Sequence, residues 1–350
     1  MRITFLGNFE ITFTSENHYL KTLLKMGHQV VPLQESKATW EEILQEAEKS
    51  DMFFWVHTHG WKTEGIEGVL ERLKEKGIPT VGYHLDLWLG IEREKDLQTD
   101  PYWKIEYFFS VDKLMVDMLN SDDKLPKGYF LPAGVWEDES YIADFDPEFA
   151  HDVVFVGSSV YHKEWQYRSR LVEWLKYTYK DRFVHYGRGG LGTIRERDLN
   201  KLYSSSKVVI GDTLCKDYKY PYYLSDRIFE TTGRNGFIIH PYIKGIEDLY
   251  KIPTPDNTKE GVLIEQSLMG NVYTHKYFDT SEAEIITYPF GDFHYLQYLI
   301  DYYLKNDEER EAIRKRGHER TLRDHTYTNR MQFILDTITK NANTNKSKDR

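Results

Sequence analysis

The sequence predicts an α/β protein of two doubly wound, Rossmann-like domains, and three observations lead there. Short apolar runs alternate with stretches of helical spacing along most of the chain. The alternation lapses near position 145 into an acidic, loop-like segment, DESYIADFDPEFAHD, and then restarts. The length, 350 residues, also exceeds the roughly 250–300 at which a single core stops growing. Strands that alternate with helices imply parallel β-α-β units in layers.

Taken in order, Ile3, Phe5 and Leu6 read as a buried strand that ends at Gly7-Asn8. Tyr19, Leu20, Leu23 and Leu24 then carry helical spacing over 15–26, with Ser15 the expected N-cap and Gly27 at the closing αL position. A strand begins at Gln29. Residues 40–49 read as a helix, 52–57 as a strand, 65–76 as a helix and 78–84 as a strand, with short strands at 107–110 and 129–131. The second half repeats the plan. Strands are expected at 152–156, 183–186, 207–210 and 236–240, with helices at 167–179 and 226–232. Residues 308–338 form a long helical stretch broken around His325, and NANTNKSKDR reads as a frayed tail. The expected domains are 1–148 and 149–318, followed by a helix over 319–340 that packs back toward the first domain and a polar tail over 341–350. Two such halves would face across a cleft at the carboxyl ends of their strands, where open α/β sheets bind ligands.

Composition narrows the function classes. Apolar residues make up 40% of the chain, which excludes disorder as its main state. The one cysteine, Cys215, excludes an internal disulfide framework. No apolar run is long enough to span a membrane, and MRITFLGNFEITF lacks the pattern of a secretion signal, so a cytoplasmic protein is expected. The net charge of −10 weighs against a partner held by bulk charge, such as long nucleic acid.

The most informative segment is SDRIFETTGRNGFIIHPYIKGIEDLY, residues 225–250. A helix starting near Ser225 would offer free N–H groups, with Arg227 in its first turn, as a diphosphate site. Glu230 follows one turn on, where its carboxylate could accept both hydroxyls of a ribose. A surface Arg–Glu pair accounts for the same spacing. Gly157 and Ser158 end the first strand of the second half, with Lys163 and Arg168 beyond them as further cations. Gly187-Arg188-Gly189-Gly190 is a second turn after a strand, where Arg188 could meet base or phosphate.

At these residues the chain resembles a family. The 225–250 segment is similar to the donor-binding segment of GT-B glycosyltransferases, particularly the branch containing the spore maturation protein CgeB, with its S-x-R-x-F-E, G-x-x-G-F and G-x-E-x-L. KMGHQV (25–30), DVVFVGSSVYHKEWQYRSRLVEWL (152–175), DLNKLYSSSKVVIGD (198–212) and REAIRKRGHERTLRDHTYTNRMQFIL (310–335) also follow the family's pattern in order and spacing. The resemblance implies the GT-B fold and metal-independent transfer of a sugar from a nucleotide diphosphate, UDP foremost, to an acceptor hydroxyl. No other cofactor is implied. It places Glu230 on the donor ribose, Ser225 and Arg227 near the diphosphate, and Lys163 and Arg168 on the leaving phosphates, where fixed donors stabilise developing charge. Retaining members often carry Glu-x7-Glu, but Tyr222 stands eight residues before Glu230. The first carboxylate of that pair is therefore missing. Residues 252–284, with Tyr273, His275 and Tyr277, read as an insertion that could cover the cleft.

The first domain would hold the acceptor, which could be a glycan, a small molecule, a protein or modified DNA. HTHGW (57–61) and YHLDLW (83–88) end two of its strands. The second resembles the His-x-Asp-like turn that reaches the donor sugar in related enzymes. His84 would then hydrogen-bond a sugar hydroxyl, and Asp86 would act as base or orient the acceptor. His59 is the third catalytic candidate. His57 and His59 have a spacing that could serve a metal, but a third ligand is not evident and no metal is expected. Trp61 and Trp88 could stack on a sugar or pack in the core. Asp144-Phe145-Asp146 reads as a solvated acidic turn, and Arg314-Lys315-Arg316 with Arg320 as a solvated helix face. Two alternatives stay open. One is a viral-type DNA glycosyltransferase acting on a hydroxylated base, and the other a non-catalytic nucleotide-sugar-binding protein.

Overall fold

Strand β1 (Arg2–Gly7) pairs in parallel with β2 (Gln29–Gln34) on one side and β3 (Met52–Trp55) on the other. Helices α1 (Ser15–Lys25) and α2 (Trp40–Ala47) make the two crossovers. The computed structural model describes residues 1–97, 99–160, 166–213, 222–255, 265–268, 271–274 and 278–348. Helix α3 (Ile66–Glu75), β4 (Thr80–His84), β5 (Tyr107–Ser110), α4 (Lys113–Leu119) and β6 (Lys127–Phe130) complete a six-stranded parallel sheet in the order β2-β1-β3-β4-β5-β6. Every residue of β3, β4 and β5 is buried, as expected of parallel strands covered on both faces. Strand β3 shows the division. Met52 and Phe54 enter a core with Tyr19, Tyr83 and Phe109, while Phe53 and Trp55 enter another with Ile43, Val69 and Leu73.

The second sheet is built from β7 (Val153–Val156), β8 (Phe183–Tyr186), β9 (Val208–Ile210), β10 (Ile238–Pro241) and β15 (Ile286–Tyr288). Its order is β15-β10-β9-β7-β8, and all its pairings are parallel. Between β10 and β15 lie two short antiparallel pairs. One joins β11 (Thr254–Pro255) to β14 (Phe278–Asp279), and the other joins β12 (Glu265–Leu268) to β13 (Asn271–Thr274). The helices are α5 (Tyr167–Tyr179), α6 (Glu196–Ser205), α7 (Arg227–Gly233), α8 (Phe293–Tyr303) and α9 (Asp307–Asp324).

By contacts the chain divides into one unit of Met1–Glu139, Pro221–Asp226 and Asp324–Arg350, and another of Ser140–Tyr220 and Arg227–Arg323. The C-terminal helix α10 (Tyr327–Lys348) belongs to the first. Its Met331, Ile334, Leu335 and Ile338 bury against Ile3, Phe5 and Tyr19. Arg330 fixes it further by donating to the carbonyls of Pro132 (2.7 Å) and Ala133 (2.9 Å).

Several expectations are corrected. The N-cap of α1 is Thr14, which accepts from Asn17 N–H, and Ser15 is already helical. Helix α10 runs to Lys348, so the expected tail from 341 is mostly helical, with neither Pro nor Gly there to stop it. Helices α4, α6 and α8 were not expected. FHYLQYLIDYY in α8 is rich in aromatics, which favour strands, and its packing against the second sheet overrides that preference. In the basic run on α9, Lys315 is solvated as expected but the arginines are not. Arg314 is buried and donates to the carbonyl of Ser206, Arg316 reaches those of Ala283 and Thr280, and Arg320 that of Leu249. These arginines satisfy carbonyls that burial would otherwise leave unpaired. Asp146 likewise pairs with Lys201 at 2.8 Å and caps the short turn Pro147–Phe149.

Candidate functional site

Strand β7 stands between β8 and β9, so the chain leaves it in opposite directions and opens a crevice at its carboxyl end. Gly157 follows β7 there, and Asp212 follows β9 after one glycine. Asp212 is completely buried. Arg168, the second residue of α5, and Arg227, the first of α7, both bind its carboxylate. Arg168 also donates to the carbonyl of Ser158 (3.1 Å), and Arg227 to that of Val156. Both guanidiniums lie over the ring of Phe155, at 5.9 and 5.2 Å from its centroid. Burial alone would raise the Asp212 pKa, but the two arginines outweigh it and hold the carboxyl below its usual range. Two guanidiniums thus share one carboxylate at the strand ends.

Gly157 is needed because its φ of 149° favours glycine and a Cβ there would run into the Arg227 guanidinium. The 187–190 turn folds onto the same loop. Ser159 N–H donates to Arg188 O at 2.9 Å, and His185 Nε2 lies 2.7 Å from Gly157 O. The Arg188 side chain is exposed and meets no ion-pair partner among the described residues. Glu230, on α7 one turn beyond Arg227, is half-buried, and no hydrogen bond or ion pair among the described residues engages its carboxylate.

Thus Gly157, Ser158, Arg168 and Arg227 come together, but the two arginines grip Asp212 instead of standing free. Helix α7 has only seven residues and begins at Arg227, so Ser225 is not its first turn. Ser225 belongs to the first unit and Arg227 to the second. Lys163, Cys215, His275 and Tyr277 lie outside the described residues, as does the side chain of Tyr273. Asp212 was missed although DLNKLYSSSKVVIGD contains its signal, a carboxylate placed directly after an apolar strand.

In the first unit, His57 follows β3 and is held by two acids. Its Nδ1 lies 2.5 Å from Glu35 Oε1, and its Nε2 lies 3.4 Å from Asp100 Oδ2. Glu35, buried beyond the end of β2, also accepts from Trp55 Nε1 (2.8 Å) and Thr58 N–H (2.9 Å). Burial lowers the His57 pKa, but the hydrogen bonds to Asp100 and Glu35 outweigh it and raise it to about 9. His57 is therefore an imidazolium at neutral pH. Burial instead takes His84, at the end of β4, down to about 3, so that ring stays neutral. Asp86 accepts from Arg93 Nη2 (2.6 Å), Leu87 N–H (2.8 Å) and Tyr223 OH (3.3 Å). These three donors fix the orientation of the Asp86 carboxylate. Arg93 Nη1 also points at His84 Nε2 at 3.5 Å.

His59 is half-exposed, 3.8 Å from Asp96, and its pKa is lowered by burial and by Arg93. Its ring meets Trp88 edge-on at 5.3 Å. Trp88 is fully buried and unavailable for stacking, whereas Trp61 is half-buried on a pocket of about 520 Å³. The sequence did not single out Glu35, Arg93 or Asp100, since nothing in their spacing ties them to His57 or Asp86. No group of three or more His, Cys, Asp or Glu among the described residues is arranged to hold a metal ion.

The model of the glycosyl transferase-like family matches residues 163–257 and 271–336. No curated protein matches the chain. Among solved structures, the chain is similar to Anabaena HepE in complex with UDP and glucose, with 11% identity, TM-score 0.58, and coverage of 97% of this chain and 99% of that one. It is similar to an alpha-glucosyltransferase in complex with UDP-glucose and DNA containing an abasic site, at 12% identity, TM-score 0.64 and coverage of 97% and 98%. A glycosyltransferase from Rickettsia africae gives 12%, 0.54, 97% and 98%. These likenesses show the GT-B fold, and the family match gives the enzyme class, a glycosyltransferase.

Proposed function

We propose that this glycosyltransferase moves a sugar from a UDP-sugar to an acceptor hydroxyl without a metal ion, and that its second unit holds the donor. The observation that carries the reading is the Arg168–Asp212–Arg227 cluster at the β7–β9 crevice, with the Glu230 carboxylate, which meets no partner among the described residues, one turn from Arg227. Breaking the sugar–phosphate bond puts negative charge on the departing nucleotide, and fixed cations stabilise it without reorganising. Arg188, exposed and without an ion-pair partner among the described residues, supplies a further cation, and Gly157 and Ser158 line the same turn. Glu230 accepts the two ribose hydroxyls. In the first unit, neutral His84 hydrogen-bonds a sugar hydroxyl, and Asp86, locked by Arg93, orients the acceptor. The order Ser225-x-Arg227-x-Phe229-Glu230 supports the CgeB-like branch, and the single cysteine supports a cytoplasmic setting. No described helix is long and apolar enough to cross a membrane.

Two substitutions test the assignment. Glu230→Ala should weaken UDP binding about 10- to 100-fold, the worth of charge-assisted hydrogen bonds, with the melting temperature unchanged. Unaltered affinity in calorimetry removes Glu230 from the donor site. Asp86→Asn should lower kcat while leaving UDP affinity intact, and equal turnover would eliminate any role for Asp86. A melting-temperature screen of UDP-, GDP- and TDP-sugars identifies the base, since a bound donor stabilises the fold. A second reading, transfer to a hydroxylated base in duplex DNA, draws on the likeness to the alpha-glucosyltransferase in complex with DNA. The net charge of −10 weighs against it.

A further inference from the structure

The first unit carries a pocket of about 520 Å³ at the carboxyl end of β3, lined among others by Trp55, His57, His59, Trp61, Asp96 and Asp100. That volume falls within the range of small-ligand pockets, about 300–1,000 Å³. We propose that it takes an unphosphorylated saccharide as the acceptor, an inference that rests on the glycosyltransferase reading above.

Charge excludes the main competitor. Four carboxylates line the pocket, Glu64, Glu67, Asp96 and Asp100, against Lys62 and the imidazolium of His57, and no arginine joins them. Asp100 is offset by His57, and Glu67 by Lys104 at 2.9 Å, which leaves Glu64 and Asp96, the latter 3.8 Å from His59, against the single cation of Lys62. Phosphates would be repelled, and a nucleic-acid strand would find none of the guanidiniums that usually hold its backbone. Sugar hydroxyls suit these walls, because carboxylates accept their hydrogen bonds and the half-buried Trp61 indole offers an apolar face to the ring C–H groups.

Rigidity comes from beneath. Glu35 binds Trp55 Nε1, His57 Nδ1 and Thr58 N–H together, so the floor is pinned before any ligand arrives. The pocket also adjoins the proposed reacting groups through ring contacts, since His59 meets Trp88 edge-on and Trp88 meets His84 at a tilt, 5.7 Å between centroids. In the transfer a saccharide hydroxyl oxygen bonds the anomeric carbon as that carbon's bond to UDP breaks. UDP leaves with the bonding electrons, and the hydroxyl proton is released to solvent.

The test uses the full chain with UDP-glucose, UDP-galactose and UDP-N-acetylglucosamine as donors. Acceptors are cellobiose, maltotriose, chitobiose and a short duplex carrying a hydroxymethylated base, with products read by mass spectrometry. The expected result is transfer to at least one saccharide and none to the duplex. Trp61→Ala and Asp96→Asn should each raise the saccharide KM about tenfold, or 1.4 kcal/mol, while the UDP dissociation constant stays the same. UDP binding with no saccharide product, transfer to the duplex alone, or a KM indifferent to both substitutions overturns this inference and spares the donor reading. Loss of UDP binding in the unaltered protein overturns both.

Discussion

Asp212→Ala should destabilise the second unit by about 3–5 kcal/mol, the usual cost of removing one partner from a buried ion pair. Asp212 is fully buried, and without it the guanidiniums of Arg168 and Arg227 would lose the carboxylate they share at the ends of β7 and β9. Denaturant midpoints measure the loss. Asp212→Asn keeps the shape but not the charge, so it should recover only part of the stability. Because the Asp212 pKa is held below its ordinary value, its contribution is present above the unfolded value, about 3.9, and is lost as pH falls through the folded one. A variant as stable as the parent at neutral pH would show that the cluster does not hold the crevice together. UDP affinity should fall as well, since both arginines lose the carboxylate that aims them.

His57→Gln should remove a pH dependence from the first unit. With a folded pKa of about 9 against 6.5 unfolded, the folded state binds the proton more tightly. The resulting stabilisation is fully present below pH 6.5 and is lost as pH rises through 9. Its size follows from the shift, roughly 3 kcal/mol. Unfolding free energies measured from pH 6 to 10 should therefore converge for parent and variant at the alkaline end and diverge at the acid end. Parallel curves would mean that His57 is neutral in the fold. The variant should also lose saccharide affinity, because Glu35 and Asp100 would no longer share a cation at the pocket floor.

The sequence by itself determined the strand-and-helix order, because buried parallel strands are continuous apolar runs and helices carry their own spacing. MFFW and VVFV could be little else, and the glycines at 27 and 157 mark turns that other residues strain to make. It also offered Arg168, Arg227 and Glu230 as candidates for meeting a diphosphate sugar, since their order resembles a family pattern.

Only the tertiary structure decided what those side chains touch. Asp212 lies 44 positions from Arg168 and 15 from Arg227, and Glu35 lies 22 from His57. No local period links such pairs; the crossing of β1 and β7 between their neighbours brings them together. The same holds for the arginines of α9, which look like a solvated face in one dimension and are carbonyl caps in three. Charge, in short, is written in the sequence, but its counter-charge is supplied by topology. Among the described residues that pairing engages Arg168, Arg227 and Asp86, whereas it leaves the side chains of Glu230 and Arg188 without an ion-pair partner.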